Sequence, residues 1–259
     1  MKFTAIKDLM KEYFEKTEIR RNIDISDEHP TFGIYKNISI YHERGSFTLI
    51  AARPGMGKTT FMVQSAVSIA LYEKKPIYII SLEHSAESLI RILEKINNEP
   101  FYDKIANLPI YICDDSPLSI DEIEKTIENK ITDGIVFIDY FELIVTNEKN
   151  CIKSNSIVSS KLRVLSRSYH IPIICCCQLS RNIEKSGRKD DRPRLFDLRY
   201  NGQLCQDSDI VLFPYRDSYY NTNISVYNNF TECIIAKNRY GEIGIVKLYW
   251  NSERCCFEQ

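Results

Sequence analysis

Hydrophobic residues occur along this chain in two alternating arrangements. Short continuous apolar runs are typical of strands that are covered on both faces of a sheet, and between them apolar residues recur at every third or fourth position, as in amphipathic helices. Strands that alternate with helices predict an α/β fold with a mostly parallel central sheet flanked by helices. The predicted strands are Ser46–Ala51, Pro76–Leu82, Pro109–Cys113, Gly134–Asp139, Ile171–Cys177 and Asp209–Tyr215, and the predicted helices are Thr59–Tyr72, Ala86–Asn97, Ile120–Asn129 and Ser156–Tyr169, the third of which follows a capping-box pattern of Ser119 with Glu122.

The N-terminal segment has an amphipathic pattern of its own. Residues 3–17 predict a helix, and the polar, charged segment 18–28 that follows is typical of a linker. A tethered helix either folds back on its own domain or docks on a neighbouring subunit, and on the pattern alone the first is the commoner outcome. The apolar face of the helix consists of Ile6, Leu9, Met10, Tyr13 and Phe14.

The C-terminal part of the chain predicts a different local structure. Residues 231–236 and 243–250, around Gly241 and Gly244, predict a β-hairpin. The polar, basic segment 180–194 is expected to be a mobile loop.

A glycine-framed turn between the first predicted strand and helix indicates a phosphate-binding loop. Gly55 and Gly57 allow backbone N–H groups to surround a polyphosphate, Lys58 supplies a cation for the β- and γ-phosphates, and Thr59 offers a hydroxyl to Mg²⁺. Ala52 replaces the first glycine of the usual pattern. The alternative is an ordinary glycine turn between a strand and a helix. The predicted nucleotide-binding residues are Arg53, Pro54, Gly55, Met56, Gly57, Lys58, Thr59 and Thr60.

Three polar side chains at the ends of other predicted strands are candidates for the same site, because ligands of open α/β sheets bind beyond the carboxyl ends of the strands. Asp139 is placed to hold Mg²⁺, and Glu83 is placed to orient and deprotonate an attacking water. The alternative for each carboxylate is to cap the next helix. Gln178 can hydrogen-bond the γ-phosphate, or it is an ordinary polar strand end.

Lys237 and Arg239 form a Lys-x-Arg pair near the end of a predicted strand. Two cations at this spacing can project toward a phosphate, and cations that contact a γ-phosphate are commonly supplied by another subunit. The alternative is a solvated basic turn.

Charge and cysteine content limit how the protein can contact nucleic acid and in which compartment it is expected. The 259 residues include 34 basic and 35 acidic side chains, so any contact with nucleic acid is expected to be confined to a channel or to loops. The nine cysteines form no C-x-x-C pair, and we expect free thiols in a reducing cytoplasm. No signal-peptide pattern and no apolar stretch long enough to cross a bilayer is found, which predicts a soluble intracellular protein with no membrane partner.

The order and spacing of six segments resemble the RecA-like motor domain of the DnaB family of replicative DNA helicases, and the resemblance covers roughly residues 30–258. The last two segments are more specific to that family than the phosphate-binding loop is. In chain order the segments are ARPGMGKTTF, SLEHSAESLIRIL, IVFIDYFELI, CCQLSRNIE, RPRLFDLRYNGQLCQDSDIVLFPYRDSYY and IIAKNRYGEIGIVKLYW.

The resemblance implies a RecA-like P-loop NTPase that uses ATP and Mg²⁺ and forms a ring of six subunits around single-stranded DNA, with 5′–3′ polarity and a helicase loader or primase as candidate partners. It further implies that residues 1–28 are a linker helix and tether, that the helix protrudes and docks on the adjacent subunit, and that residues 29–259 are the motor. The implied roles are ATP binding by Lys58 and its loop, Mg²⁺ binding by Thr59 and Asp139, catalysis by Glu83, γ-phosphate coupling by Gln178, insertion of Lys237 and Arg239 into the neighbour's ATP site, and DNA contact by Arg199, Asn201 and Gly202.

The chain departs from the family in two places. The family typically has Arg-Glu-Ser-Gly where this chain has Arg199, Tyr200, Asn201 and Gly202, and a tyrosine there can stack on a base. Since about 30 residues precede the motor, we expect the N-terminal primase-contacting domain to be absent. Two other functions stay open: a nucleotide-dependent DNA-binding scaffold that does not unwind, and a RecA- or RadA-like recombinase, against which the last two segments argue.

Overall fold

The computed structural model describes residues 3–17, 44–96, 105–180, 183, 191–198, 202–220 and 230–258, with the backbone alone for residues 13–17. The predicted linker 18–28, most of the predicted loop 180–194, and Arg199 and Asn201 of the predicted DNA-binding segment lie outside these residues.

Ten strands of the described residues form one sheet in the order β1-β4-β3-β5-β6-β2-β7-β8-β9-β10. Strands β2 to β7 pair in parallel, and the strands at both edges pair antiparallel. The predicted mostly parallel α/β sheet is thereby confirmed. The strands are β1 (Thr4–Ala5), β2 (Phe47–Ala52), β3 (Ile77–Ser81), β4 (Ile110–Cys113), β5 (Ile135–Asp139), β6 (Ile173–Gln178), β7 (Ile210–Arg216), β8 (Phe230–Asn238), β9 (Gly244–Asn251) and β10 (Cys256–Glu258).

Helices cover both faces of the sheet. Successive residues of β5 show this arrangement, since Ile135 and Phe137 belong to one apolar cluster and Val136 and Ile138 to the other. None of the described helices is long and apolar enough to cross a membrane. The helices are α1 (Ile6–Thr17), α2 (Lys58–Tyr72), α3 (Ala86–Ile96), α4 (Ile120–Lys130), α5 (Cys151–Tyr169), α6 (Gly202–Asp207) and α7 (Asp217–Tyr220), with 3₁₀ turns at Phe141–Leu143 and Leu195–Asp197.

The N-terminal helix does not protrude, which corrects one expectation from the family resemblance. Strand β1 pairs antiparallel with the sheet-edge strand β4, and this pairing brings α1 against α3 of the same chain. Ile6 and Met10 are buried there. The part of the apolar stripe that the structure describes, Ile6, Leu9 and Met10, therefore packs within its own domain, as the pattern alone favoured.

The C-terminal hairpin is confirmed and is extended by a third strand. β8 pairs with β9, and β10 then pairs with β9 at the sheet edge. The side-chain amide of Gln64 on α2 donates to the carbonyl of Phe257 at 2.9 Å and accepts from its N–H at 3.0 Å. The last strand is thereby held against the helix that begins at the phosphate-binding loop.

Candidate nucleotide-binding site

The loop between β2 and α2 requires glycine at two positions. Gly55 and Gly57 have φ angles of 79° and 88°, in the left-handed region that favours glycine. A Cβ atom at Gly55 would lie 2.9 Å from the ring of Tyr219, and one at Gly57 would lie 3.0 Å from the ring of Trp250. Aromatic side chains from other elements therefore pack directly on this loop and leave no room for a substituent.

Lys58, Thr59 and Asp139 form a compact hydrogen-bonded group at the carboxyl edge of the sheet. Lys58 Nζ donates to Asp139 Oδ1 at 2.8 Å, and the Thr59 hydroxyl donates to Asp139 Oδ2 at 2.8 Å. Asp139 is fully buried at the end of β5, and the Lys58 ammonium lies 4.2 Å from the centroid of the Tyr140 ring. The two predicted metal-binding residues are therefore in direct contact.

The charge of Lys58 is stabilised by its surroundings. Burial alone lowers the pKa of this ammonium, but the negative charges of Asp139, which also accepts its hydrogen bond, and of Glu83 outweigh burial and raise the pKa above its ordinary value. Lys58 is therefore a permanent cation at neutral pH, as the binding of an anionic polyphosphate requires.

Glu83 is exposed at the carboxyl end of β3 and lines the same pocket as Lys58. At the start of α3, the N–H of Ala86 donates to the Asp114 carboxylate and the N–H of Ser88 donates to the Ser85 hydroxyl. Other side chains thus cap this helix, which weakens the capping alternative for Glu83.

The acidic groups of the pocket suit a divalent cation. One potential ligand atom each of Glu83, His84 and Asp139 lies within 4.8 Å of the others. Together with the Thr59 hydroxyl, the carboxylates supply the oxygen ligands that Mg²⁺ prefers. The residues present therefore fit the ion that the sequence predicted.

Gln178 ends β6 beside the phosphate-binding loop, paired in register with Ala52. The two residues that follow Gln178 hold the base of the segment that leads to Arg199: Leu179 forms a β-bridge with Leu198, and Ser180 N–H donates to the carbonyl of Asp197 at 3.0 Å. The strand end in the nucleotide pocket is therefore continuous with the base of the predicted DNA-binding segment.

Most candidate residues of the carboxyl edge line one pocket of about 370 Å³, and the buried Asp139 lies behind its wall, bonded to the lining residues Lys58 and Thr59. Met56 is the exception among the predicted nucleotide-binding residues, because its side chain is buried in the core. Sequence reasoning assigned no role to four further lining residues. The lining consists of Ala52, Arg53, Pro54, Gly55, Gly57, Lys58, Thr59, Thr60, Glu83 and Gln178, and of the unanticipated His84, Ile92, Tyr140 and Trp250.

An aromatic and cationic wall borders the loop on the side of the C-terminal strands. The guanidinium of Arg216 lies 3.9 Å from the ring centroid of Trp250 and donates to the Gly55 carbonyl at 3.3 Å. Arg216 ends β7 at the carboxyl edge, so its position on a parallel strand is a signal that could have identified it. Trp250 comes from an antiparallel strand, and no local pattern predicts its place.

Lys237 and Arg239 lie at the opposite edge of the sheet. Arg239 N–H donates to the Asp209 carbonyl at 3.0 Å, and Asp209 N–H donates to the Phe47 carbonyl at 2.7 Å, which places Arg239 beside the first residue of β2. The phosphate-binding loop follows the last residue of β2, Ala52, which is about 17 Å farther along the strand at about 3.3 Å per residue. The structure therefore does not bring these cations to the phosphate-binding loop of the same chain.

Both cations bind the C-terminal end of α6. Lys237 Nζ donates to the carbonyls of Cys205 and Ser208, at 2.5 Å each, and to that of Gln206 at 3.4 Å. Arg239 Nη2 donates to the Gln206 carbonyl at 3.0 Å. Burial and the nearby Arg239 lower the pKa of Lys237. The solvated-turn alternative does not describe Lys237, which is half-buried and bound to three carbonyls.

Gly202 is the first residue of α6 and is exposed. A Cβ atom at this position would meet no described atom within 4 Å. Packing within the described part of the chain therefore does not require glycine here.

Comparison with known proteins agrees with this geometry. The family model of the DnaB-like helicase C terminal domain matches residues 41–101 and 92–259. A probable plasmid replicative DNA helicase of Chlamydia psittaci is 34% identical across 90% of this chain and 56% of the relative. Replicative DNA helicase DnaB of Geobacillus stearothermophilus is 32% identical across 97% of this chain and 61% of the relative. The chain thus spans a little more than half the length of these relatives.

Two solved structures share the fold. One is described as an ATPase domain, and it superposes with a TM-score of 0.76 and 32% identity, over 98% of both chains. A DnaB-like replicative helicase, solved in a study of its interactions with primase, superposes with a TM-score of 0.77 and 30% identity, over 98% of this chain and 70% of the other. From these matches, and from the position of its phosphate-binding loop in the sheet, we conclude that the chain belongs to the family of DnaB-like helicase C-terminal domains.

Proposed function

We propose that this protein is an ATP-driven replicative DNA helicase, a translocase that moves along single-stranded DNA as a hexameric ring. The observation that carries the proposal is the separation of two half-sites on one sheet. Lys58 and Asp139 lie at the carboxyl edge, and Lys237 and Arg239 lie at the amino edge. A site that contains all four groups requires the edges of two different subunits, as in a closed ring.

The carboxyl-edge residues supply the chemistry of ATP hydrolysis in this proposal. The backbone N–H groups of the loop and Lys58 hold the phosphates, and Glu83 orients and deprotonates the attacking water. Mg²⁺, held by Thr59 and Asp139, would neutralise charge on the phosphates. Trp250 lines the wall of the same pocket and is stacked against the Arg216 guanidinium.

The amino-edge cations complete the site of the neighbouring subunit. Lys237 and Arg239 of one subunit would contact the γ-phosphate bound by the next, and Lys237 would leave the carbonyls at the end of α6 to do so. The same helix begins at Gly202, which we propose contacts the DNA phosphates together with Arg199 and Asn201. A second link runs from Gln178 through Leu179 and Ser180 to the base of this segment. Both links would let the nucleotide state move the DNA-binding segment.

The domain boundaries, protein partners and cellular location are proposed from the family resemblance as well. We propose residues 29–259 as the motor, residues 1–28 as linker helix and tether, and a helicase loader or primase as protein partner. A cytoplasmic location agrees with nine free cysteines.

The proposal is tested by ATP turnover with and without single-stranded DNA at several salt concentrations, combined with mass measurement in a non-hydrolysable ATP analogue. We expect turnover stimulated by DNA in a salt-dependent manner, a hexameric mass, and displacement of one strand from a forked duplex. A hexamer that binds DNA and ATP without stimulated turnover would instead indicate a scaffold, and an open filament would indicate a recombinase.

A further inference from the structure

Asp209 is a buried carboxylate that accepts hydrogen bonds from two cationic side chains, although it carries a single negative charge. Its oxygens accept from the N–H of Phe47 at 2.9 Å and from both terminal nitrogens of Arg163, one of them at 2.7 Å. A second guanidinium, that of Arg239, donates Nη1 to Oδ1 at 3.2 Å. One carboxylate therefore binds two arginines at the amino edge of the sheet.

The two arginines have different environments. The side chain of Arg163 is 11% exposed, and its forked contact with Asp209 compensates the buried charge. The side chain of Arg239 is 45% exposed, and a half-exposed ion pair contributes little to stability. The fold thus depends on the Arg163 contact, and the Arg239 contact needs another explanation.

The contact with Asp209 fixes the guanidinium of Arg239 in place. Nη1 is held by Asp209 and Nη2 by the Gln206 carbonyl, so two anchors on one planar group restrain both its position and its orientation. Backbone hydrogen bonds join the same elements, since Arg239 N–H donates to the Asp209 carbonyl. A guanidinium held in this way loses little conformational entropy when a further ligand binds to it.

Arg239 borders a basic cavity of about 360 Å³. Four guanidinium groups and one imidazole face one carboxylate there, so the cavity attracts anions. Its lining residues are Arg44, Gly45, Arg163, Arg167, His170, Asp209, Arg239 and Tyr240.

We propose that Asp209 is a positioning residue for the trans-acting Arg239: it holds the guanidinium at the mouth of the basic cavity, ready to contact the γ-phosphate bound by the neighbouring subunit. This inference rests on the proposed function, because Arg239 has a trans partner only in an assembled ring. Asp209 itself does not touch ATP, and its effect is confined to the neighbour's site.

Mixed rings separate this role from a structural one. Glu83→Gln leaves the amino-edge cations intact and inactivates the chain's own site, whereas Arg239→Ala does the reverse. A mixture of these two variants is expected to recover DNA-stimulated ATP turnover. A lack of recovery in confirmed mixed rings would defeat the proposed trans site and, with it, the inference on Asp209 that rests on that site.

Asp209→Asn is then measured alone and in mixed rings with each of these two variants. Alone, it is expected to lower kcat about tenfold or more while the KM for ATP stays near the wild-type value, since displacement of a catalytic group costs rate. Mixed with Glu83→Gln it should recover turnover, and mixed with Arg239→Ala it should not, because both variants lack a positioned Arg239. A purely structural defect would give no recovery with either partner.

Binding of a fluorescent ATP analogue at the distant phosphate-binding loop reports whether the variant folds. Asp209→Glu keeps the charge that Arg163 requires and displaces the carboxylate by one methylene, so it carries the same test if Asp209→Asn does not fold. The inference is overturned if the folded Asp209 variant turns over ATP at the wild-type rate. It is also overturned if turnover recovers in mixtures with both Glu83→Gln and Arg239→Ala, or in mixtures with neither.

Discussion

Gln64→Leu is expected to destabilise the protein and to weaken nucleotide binding, although Gln64 does not line the nucleotide pocket. The buried Gln64 amide makes two hydrogen bonds with the backbone of Phe257, at 2.9 and 3.0 Å. Leucine of similar size removes both and leaves a buried N–H and a buried carbonyl without partners, at about 1–3 kcal/mol each. β10 can relieve this cost by lifting away from the helix, which exposes the Phe257 ring at about 2–3 kcal/mol. We therefore expect the free energy of unfolding to fall by about 2–4 kcal/mol.

The effect should reach the phosphate-binding loop through aromatic packing. A Cβ atom at Gly57 would lie 3.1 Å from the Phe257 ring, and Phe257 packs edge-on against Trp250 with centroids 5.0 Å apart. Loss of β10 removes this support from the loop, so the affinity for an ATP analogue should decrease. Trp250 is the single tryptophan of the chain and reports this packing directly.

Urea unfolding followed by Trp250 fluorescence, with analogue titration in parallel, measures both effects. Ser65→Ala is the matched control on the same helix, because the Ser65 hydroxyl donates to the carbonyl of Phe61 one turn earlier, a bond within the helix itself. Its expected cost is below about 1 kcal/mol. The reasoning is refuted if Gln64→Leu stays within about 0.5 kcal/mol of wild type or if Ser65→Ala costs as much.

Three further substitutions test single residues of the proposed function. Lys58→Ala should abolish analogue binding and ATP turnover, and robust turnover would defeat the assignment of the phosphate-binding loop. Glu83→Gln should keep ATP binding and lower turnover about 100-fold or more. The melting temperature should stay unchanged because Asp114 and Ser85 cap α3, and wild-type turnover would restore the capping alternative for Glu83. Gly202→Ala should leave stability unchanged or raise it by up to about 1 kcal/mol and should weaken single-stranded DNA binding in fluorescence anisotropy, whereas unchanged affinity would show that DNA does not approach this backbone.

Much of the carboxyl-edge site could be predicted because its residues follow strands with continuous apolar runs. Asp139 and Gln178 end β5 and β6, and Glu83 follows β3, so a rule about parallel strands is sufficient to bring them to one edge. The capping box of Ser119 with Glu122 is likewise local, and the structure contains it. The residue pattern within one strand or helix is sufficient to predict strand ends and helix caps of this kind.

Other features depend on contacts between distant segments, which such patterns do not encode. Gln64 and Phe257 are 193 residues apart, and no periodicity in either element predicts their pairing. Trp250 reaches the nucleotide pocket only because β8 and β9 continue the sheet antiparallel. The place of α1 depends on a two-residue strand, β1, too short to be recognised from its sequence.

The two ends of β2 explain why hydrolysis should depend on assembly. In a single subunit Lys58 pairs with Asp139, while Lys237 and Arg239 remain on the carbonyls of α6. We therefore expect a monomer to bind ATP without rapid turnover, since the cations that stabilise the transferred phosphate are about 17 Å away along the strand. In the proposed ring, each interface would complete one site and would draw Lys237 away from a six-residue helix that begins at Gly202. The nucleotide at one interface would thereby act on the proposed DNA contact of the adjacent subunit, and the sheet between them would not need to change its pairing.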